Sequence, residues 1–206
     1  MFTSVRAFII RTVLALWTVA ASTSSLAATE FFYTSSPDSW VGNGETVSVT
    51  PSMGFDFTAN QNFDNGISFA VNNFSSSPFD SRWWYLDFSA PFDAPLAAGW
   101  YLGATRWPFQ DAENPGLSFS GNGAGNNTLT GLFNVLEIVY GPGGSVSSFA
   151  VDFLQYDEGI ETRWNLGSLR YNSSVPISLV PEPMSWAMFA AGLAALATFS
   201  RRRGAA

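Results

Sequence analysis

Between Thr29 and Val180 the chain is divided into short apolar or alternating runs, each closed by a turn signal. That pattern constrains the fold more than any other feature. The clearest case is Asn134-Val-Leu-Glu-Ile-Val-Tyr140, then Gly141-Pro-Gly-Gly144, then Ser145 to Leu154. The Gly-Pro-Gly-Gly loop supplies one fixed φ and several positions free to take positive φ, as a tight hairpin loop requires. Side chains alternate across a strand, so Phe149, Val151 and Phe153 share one face. Similar runs are Thr46–Thr50, Gly54–Thr58 with Phe55 and Phe57 on one face, Ile67–Val71, Arg82–Ser89, Gly99–Arg106, Gly116–Ser120, Leu129–Tyr140, Ser145–Tyr156 and Arg163–Tyr171. No long amphipathic helix interrupts them. The spacing predicts an all-β, antiparallel β-sandwich or jelly-roll-like domain over residues 28–179. About 150 residues suffice for one well-buried core.

Composition narrows the chemistry. The 206 residues contain no cysteine and no histidine, and all nine basic residues are arginine. Disulfides, thiolate nucleophiles, Ser-His-Asp and Cys-His arrangements, lysine Schiff bases and nearly all zinc sites are thereby excluded. Sixteen acids lie between Glu30 and Glu182, against only Arg82, Arg106, Arg163 and Arg170 in the same stretch, a net charge of about −12. A surface that acidic repels a phosphate backbone, so no nucleic-acid partner is expected.

The two ends are of a different kind. Residues 1–27 carry Arg6 and Arg11, then an apolar stretch from Val13 to Ala21, then a small-residue tail ending Ser25-Leu26-Ala27. This layout predicts a secretory signal peptide cleaved after Ala27. At the other end, Pro181-Glu182-Pro183 precedes seventeen uncharged residues, 184–200, followed by Arg201-Arg202-Arg203. Seventeen residues are at the short limit for a transmembrane helix. The arginine cluster would stay cytoplasmic, which leaves residues 28–179 outside the inner membrane.

Pro-Glu-Pro, an apolar helix and an arginine cluster, in that order over residues 180–206, resemble the PEP-CTERM sorting signal of Gram-negative bacteria. The resemblance implies export through the Sec machinery and recognition of the tail by an exosortase, a membrane-embedded protease-transpeptidase. It also implies processing near Pro181, Glu182 and Pro183, and delivery to the cell surface or a biofilm's exopolysaccharide matrix. The expected role is structural or adhesive and non-catalytic. The flanking prolines keep the segment extended, the form a protease cleft accepts.

Three sets of residues could add chemistry within the domain. Arg82-Trp83-Trp84-Tyr85, Trp100 and Trp107 are rich in aromatics, and exposed rings stack on the apolar faces of sugars; Trp84 and Trp107 are the candidate glycan platform. Neighbours in a strand point to opposite faces, so Trp83 and Trp84 cannot both be exposed on a one-sided sheet. Asp111, Glu113 and Asn114, with Asn122, Asn126 and Asn127, offer hard oxygen ligands suited to Ca2+, without the EF-hand spacing; otherwise no cofactor or metal is expected. Glu137 with Asp152, or the cluster Asp157, Glu158 and Glu161, could act as the paired acids of a glycoside hydrolase, the alternative to a glycan-binding module. Arg106 and Arg170 are expected to pair with carboxylates.

Overall fold

A computed structural model of the chain describes residues 26–177. The predicted signal peptide, apart from Leu26 and Ala27, and the whole predicted sorting segment lie outside the described residues. Ten strands follow in order: β1 (Ala28–Ser35), β2 (Thr46–Val49), β3 (Asp56–Gln61), β4 (Ile67–Asn72), β5 (Trp83–Ser89), β6 (Gly99–Arg106), β7 (Gly116–Gly121), β8 (Leu129–Tyr140), β9 (Val146–Asp157) and β10 (Trp164–Ser173). The all-β expectation is met. Nine of these strands match the alternating runs in the sequence; β1 is the one that reading did not single out.

All ten strands belong to one hydrogen-bonded sheet, ordered β2-β1-β10-β9-β8-β6-β7-β5-β4-β3. Its neighbours are antiparallel except β6 and β7, which run parallel over only two residue pairs, Thr105 with Gly116 and Arg106 with Leu117. This short parallel seam is the place where the sheet turns over. Beyond it, the β1-β10-β9-β8 half faces the β7-β5-β4 half. Aromatic contacts cross the gap: Phe31 to Trp84, Phe69 to Phe149, Phe88 to Phe133 and Phe119 to Phe153, with ring centroids 5.2–5.6 Å apart. Such tilted and offset ring pairs add to the apolar burial that drives the two halves together.

The period of two decides which residues enter the core. Phe149, Val151 and Phe153 are all buried, as their spacing predicts, and so is Phe55, with Phe57 packed against the core's edge. On β5, Trp84, Leu86 and Phe88 point inward, and the alternate residues Trp83, Tyr85 and Asp87 point outward. Gly121 pairs with Trp84 across β5 and β7, and a Cβ at that position would overlap the indole ring. A glycine there lets the ring lie flat on the neighbouring backbone.

Candidate functional site: an aromatic groove on the outer sheet face

The outward rows of β3, β4, β5 and β7 form the floor of a groove of about 750 Å³. One row reads Asn60, Ser68, Asp87 and Ser118, in register across four strands. The next reads Ala70, Tyr85 and Ser120. The small residues at 68, 70, 118 and 120 leave open space beside the two large rings, Trp83 and Tyr85. Those rings sit 5.2 Å apart and tilted. Two loops wall the groove: Arg106-Trp107-Pro108 after β6 and Gly123–Asn127 after β7.

Trp107 is anchored in that wall. Its Nε1 donates to Asp64 Oδ2 at 3.0 Å, and Gln110 Nε2 donates to the same oxygen at 2.9 Å. Its ring lies 5.5 Å from Phe63. Arg106 donates through Nη1 to the Asn127 carbonyl at 3.1 Å and stacks on Phe109, so the two walls are tied to each other. Asp87 points outward yet is only 8 % exposed. It accepts a hydrogen bond from Ser68 Oγ. Burial pushes its carboxyl up to about 6; the Ser68 hydroxyl pulls the other way, and the nearby Asp64 charge adds to the rise.

Trp84, half of the platform expected from sequence, is corrected by this geometry. It is 1 % exposed, enclosed by Phe31, Tyr33 and Phe55, and cannot stack on a ligand. The alternation argument anticipated that one of the two adjacent tryptophans is core, and the outward one is Trp83. Trp107 does line the groove. Sequence reasoning missed Asp87, Ser68 and Ser118 as groove residues, and named Tyr85 within the aromatic run without choosing it for the platform. Strict alternation on β5 already placed Trp83, Tyr85 and Asp87 on one face; nothing local indicated that two distant loops would rise around them.

The acids singled out in the sequence stand elsewhere. Glu137 accepts from Ser148 Oγ at 2.6 Å and Ser173 Oγ at 2.5 Å, in that order of effect, and these bonds hold its carboxyl below the usual range. Asp152 accepts from Ser168 Oγ and from Arg170 Nη2 at 2.8 Å. Neither lines the groove. Asp157 is fully buried and works as a structural hub: Asn126, Gln155 and Asn165 amides reach its Oδ1, and Ser39 Oγ, Trp40 N and Val41 N reach its Oδ2. Glu158 accepts from the Asn127 backbone N–H at 2.7 Å, and Glu161 is exposed.

The oxygen-rich residues considered for Ca2+ divide between two loops. Asp111, Glu113 and Asn114 follow β6, whereas Asn126 and Asn127 bond to the end of β9 and Asn122 Oδ1 accepts from Trp83 N. Arg170 pairs with Asp152 as expected. Among the described residues no helix is long and apolar enough to cross a membrane. Compared with protein-family models, curated proteins and solved structures, the chain matches none.

Proposed function

We propose that this is an exported glycan-binding protein of the cell surface or exopolysaccharide matrix, with a structural or adhesive role. In this reading residues 1–27 are removed after Sec export. An exosortase then recognises residues 180–206 and processes the chain near Pro181-Glu182-Pro183. The domain left behind, a sandwich-like curled sheet, holds matrix polysaccharide in the groove of Trp83, Tyr85 and Trp107 without reacting with it.

The observation that carries the binding assignment is the floor: two aromatic rings beside a register of small hydroxyl residues, with a single buried carboxyl among them. Rings receive the apolar faces of sugars, and the hydroxyl and carboxyl groups receive their polar edges. The paired-acid hydrolase loses appeal because Glu137 and Asp152 are held by serines and Arg170 away from the groove. Export and sorting are supported by the domain's bounds. β1 starts at Ala28, one residue past the expected cleavage point. At the other end Arg170 grips the Val175 and Pro176 carbonyls at 3.0 and 3.1 Å, five residues before Pro181.

The test is to isolate the protein from each cell fraction of its host, measure intact mass, and incubate it with the host's own exopolysaccharide. The expected outcome is surface material lacking residues 1–27 and the segment after about Pro183, which retains polymer of unchanged chain length. Protein that keeps Met184 to Ala206 in the inner membrane would refute sorting. Shortened polymer would refute binding without chemistry.

A further inference from the structure

We propose, resting on the glycan reading above, that Asp87 accepts hydrogen bonds from vicinal sugar hydroxyls in the groove, which thereby selects neutral polysaccharide over polymers of uronic acids. Two buried carboxylates of this chain differ sharply in how they are satisfied. Asp157 has six donors within 3.1 Å, distributed over both oxygens. That saturates a carboxylate, which offers about four lone-pair directions. Asp87 is nearly as enclosed, yet it receives one hydrogen bond, from Ser68, and no arginine among the described residues pairs with it.

A carboxyl enclosed this way with a single donor is held at a stability cost, and its raised pKa is a sign of that cost. Its unused acceptor capacity faces the groove, between Ser68 and Ser118 in the adjacent strands. Two neighbouring hydroxyls of a pyranose, presented while its apolar face lies on Tyr85 or Trp83, would fill that capacity.

The charges in the groove then set its selectivity. A uronate would bring a second carboxylate beside Asp87, with Asp64 close behind it. Arg106, on the wall, is turned to the Asn127 carbonyl and the Phe109 ring and does not pair with Asp87. Anionic sugars are disfavoured because like charges in a partly desolvated site repel with little screening. A neutral sugar avoids that repulsion.

The experiment is calorimetric titration of the full-length protein at about 0.15 M salt, where the Debye length is about 8 Å. The probes are neutral hexasaccharides (cellohexaose, laminarihexaose, maltohexaose and mannohexaose) and a mannuronate hexamer. At least one neutral hexamer should bind, and the mannuronate hexamer should bind at least about tenfold more weakly, as expected for an unpaired charge brought into such a site. Asp87→Asn should weaken the neutral ligand by about tenfold or more, since the neutral amide accepts less strongly than a carboxylate. Tyr85→Ala should abolish binding. A mannuronate hexamer that binds as tightly as the best neutral one overturns the selectivity, as does an Asp87→Asn variant with unchanged affinity while Tyr85→Ala has lost it; the groove reading survives both results. Binding untouched by either substitution, or by no hexamer at all, overturns the groove reading together with this inference.

Discussion

The side-chain amide of Gln155 brackets the backbone of Phe119, accepting from its N–H at 2.8 Å and donating to its carbonyl at 3.0 Å. Gln155 lies on β9 and Phe119 on β7, in the two facing halves of the curled sheet. β6 pairs with β7 only as far as Leu117, so Phe119 is left with an unpaired backbone edge inside the core. The glutamine supplies one residue's worth of strand pairing there, as buried backbone groups require.

Gln155→Leu keeps the bulk and removes both bonds, leaving an N–H and a carbonyl buried without partners. The expected loss is about 2–4 kcal/mol. It is read as a lowered denaturant midpoint at unchanged m-value. A variant within about 0.5 kcal/mol of the parent would show that water satisfies Phe119 instead.

Asp157 ties the segment Ser39–Val41 to the end of β9 and to Asn165 on β10. Asp157→Asn replaces one acceptor oxygen with a donor facing donors. A destabilisation of about 3 kcal/mol is expected, in the range for breaking a buried network of charged hydrogen bonds. Limited proteolysis should then cut near Trp40 first, because that exposed residue's backbone loses its anchor.

Asp87 should make stability depend on pH with a definite sign. Its carboxyl is raised from the ordinary 3.8 to about 6 in the folded state, so folding takes up a proton between these values. Stability is fullest below about pH 4 as far as this group is concerned, and falls as pH rises through 6. Asp87→Asn should therefore stabilise the protein at pH 7 by about 2–3 kcal/mol, and by close to nothing at pH 4. Thermal melts of the two proteins at both pH values decide it. Equal melting points at pH 7 would contradict the assignment.

Arg170 uses all five of its N–H groups: on the Val151, Leu169, Val175 and Pro176 carbonyls and on Asp152. Arg170→Met removes a buried cation that is the partner of four carbonyls and leaves Asp152 with only Ser168 Oγ, with an expected loss of about 3–5 kcal/mol. Arg170→Lys should recover only part of it, since an ammonium cannot reproduce the planar fork. Hydrogen exchange should rise at Val175, whose N–H is held at 3.1 Å by Ser173 Oγ within the segment that Arg170 fixes. Full rescue by lysine would show that charge alone matters at this position.

Local pattern in the sequence determined a good deal here. Period-two alternation set the strands, the inward direction of Phe149, Val151 and Phe153, and the opposition of Trp83 and Trp84, because each depends only on a residue's immediate neighbours. The export and sorting expectations likewise rest on contiguous residues. Tertiary structure decided what those strands build. The order β8-β6-β7-β5 brought the loops after β6 and β7 around the outward face of β5, and so turned Asp87 from a surface acid into a buried one. The same folding placed Asp157 against residues more than a hundred positions away and gave Glu137 and Asp152 to serines and Arg170. Hydrogen-bond partners separated by that much chain are chosen by strand order and sheet curvature, which alternation along a single strand does not encode.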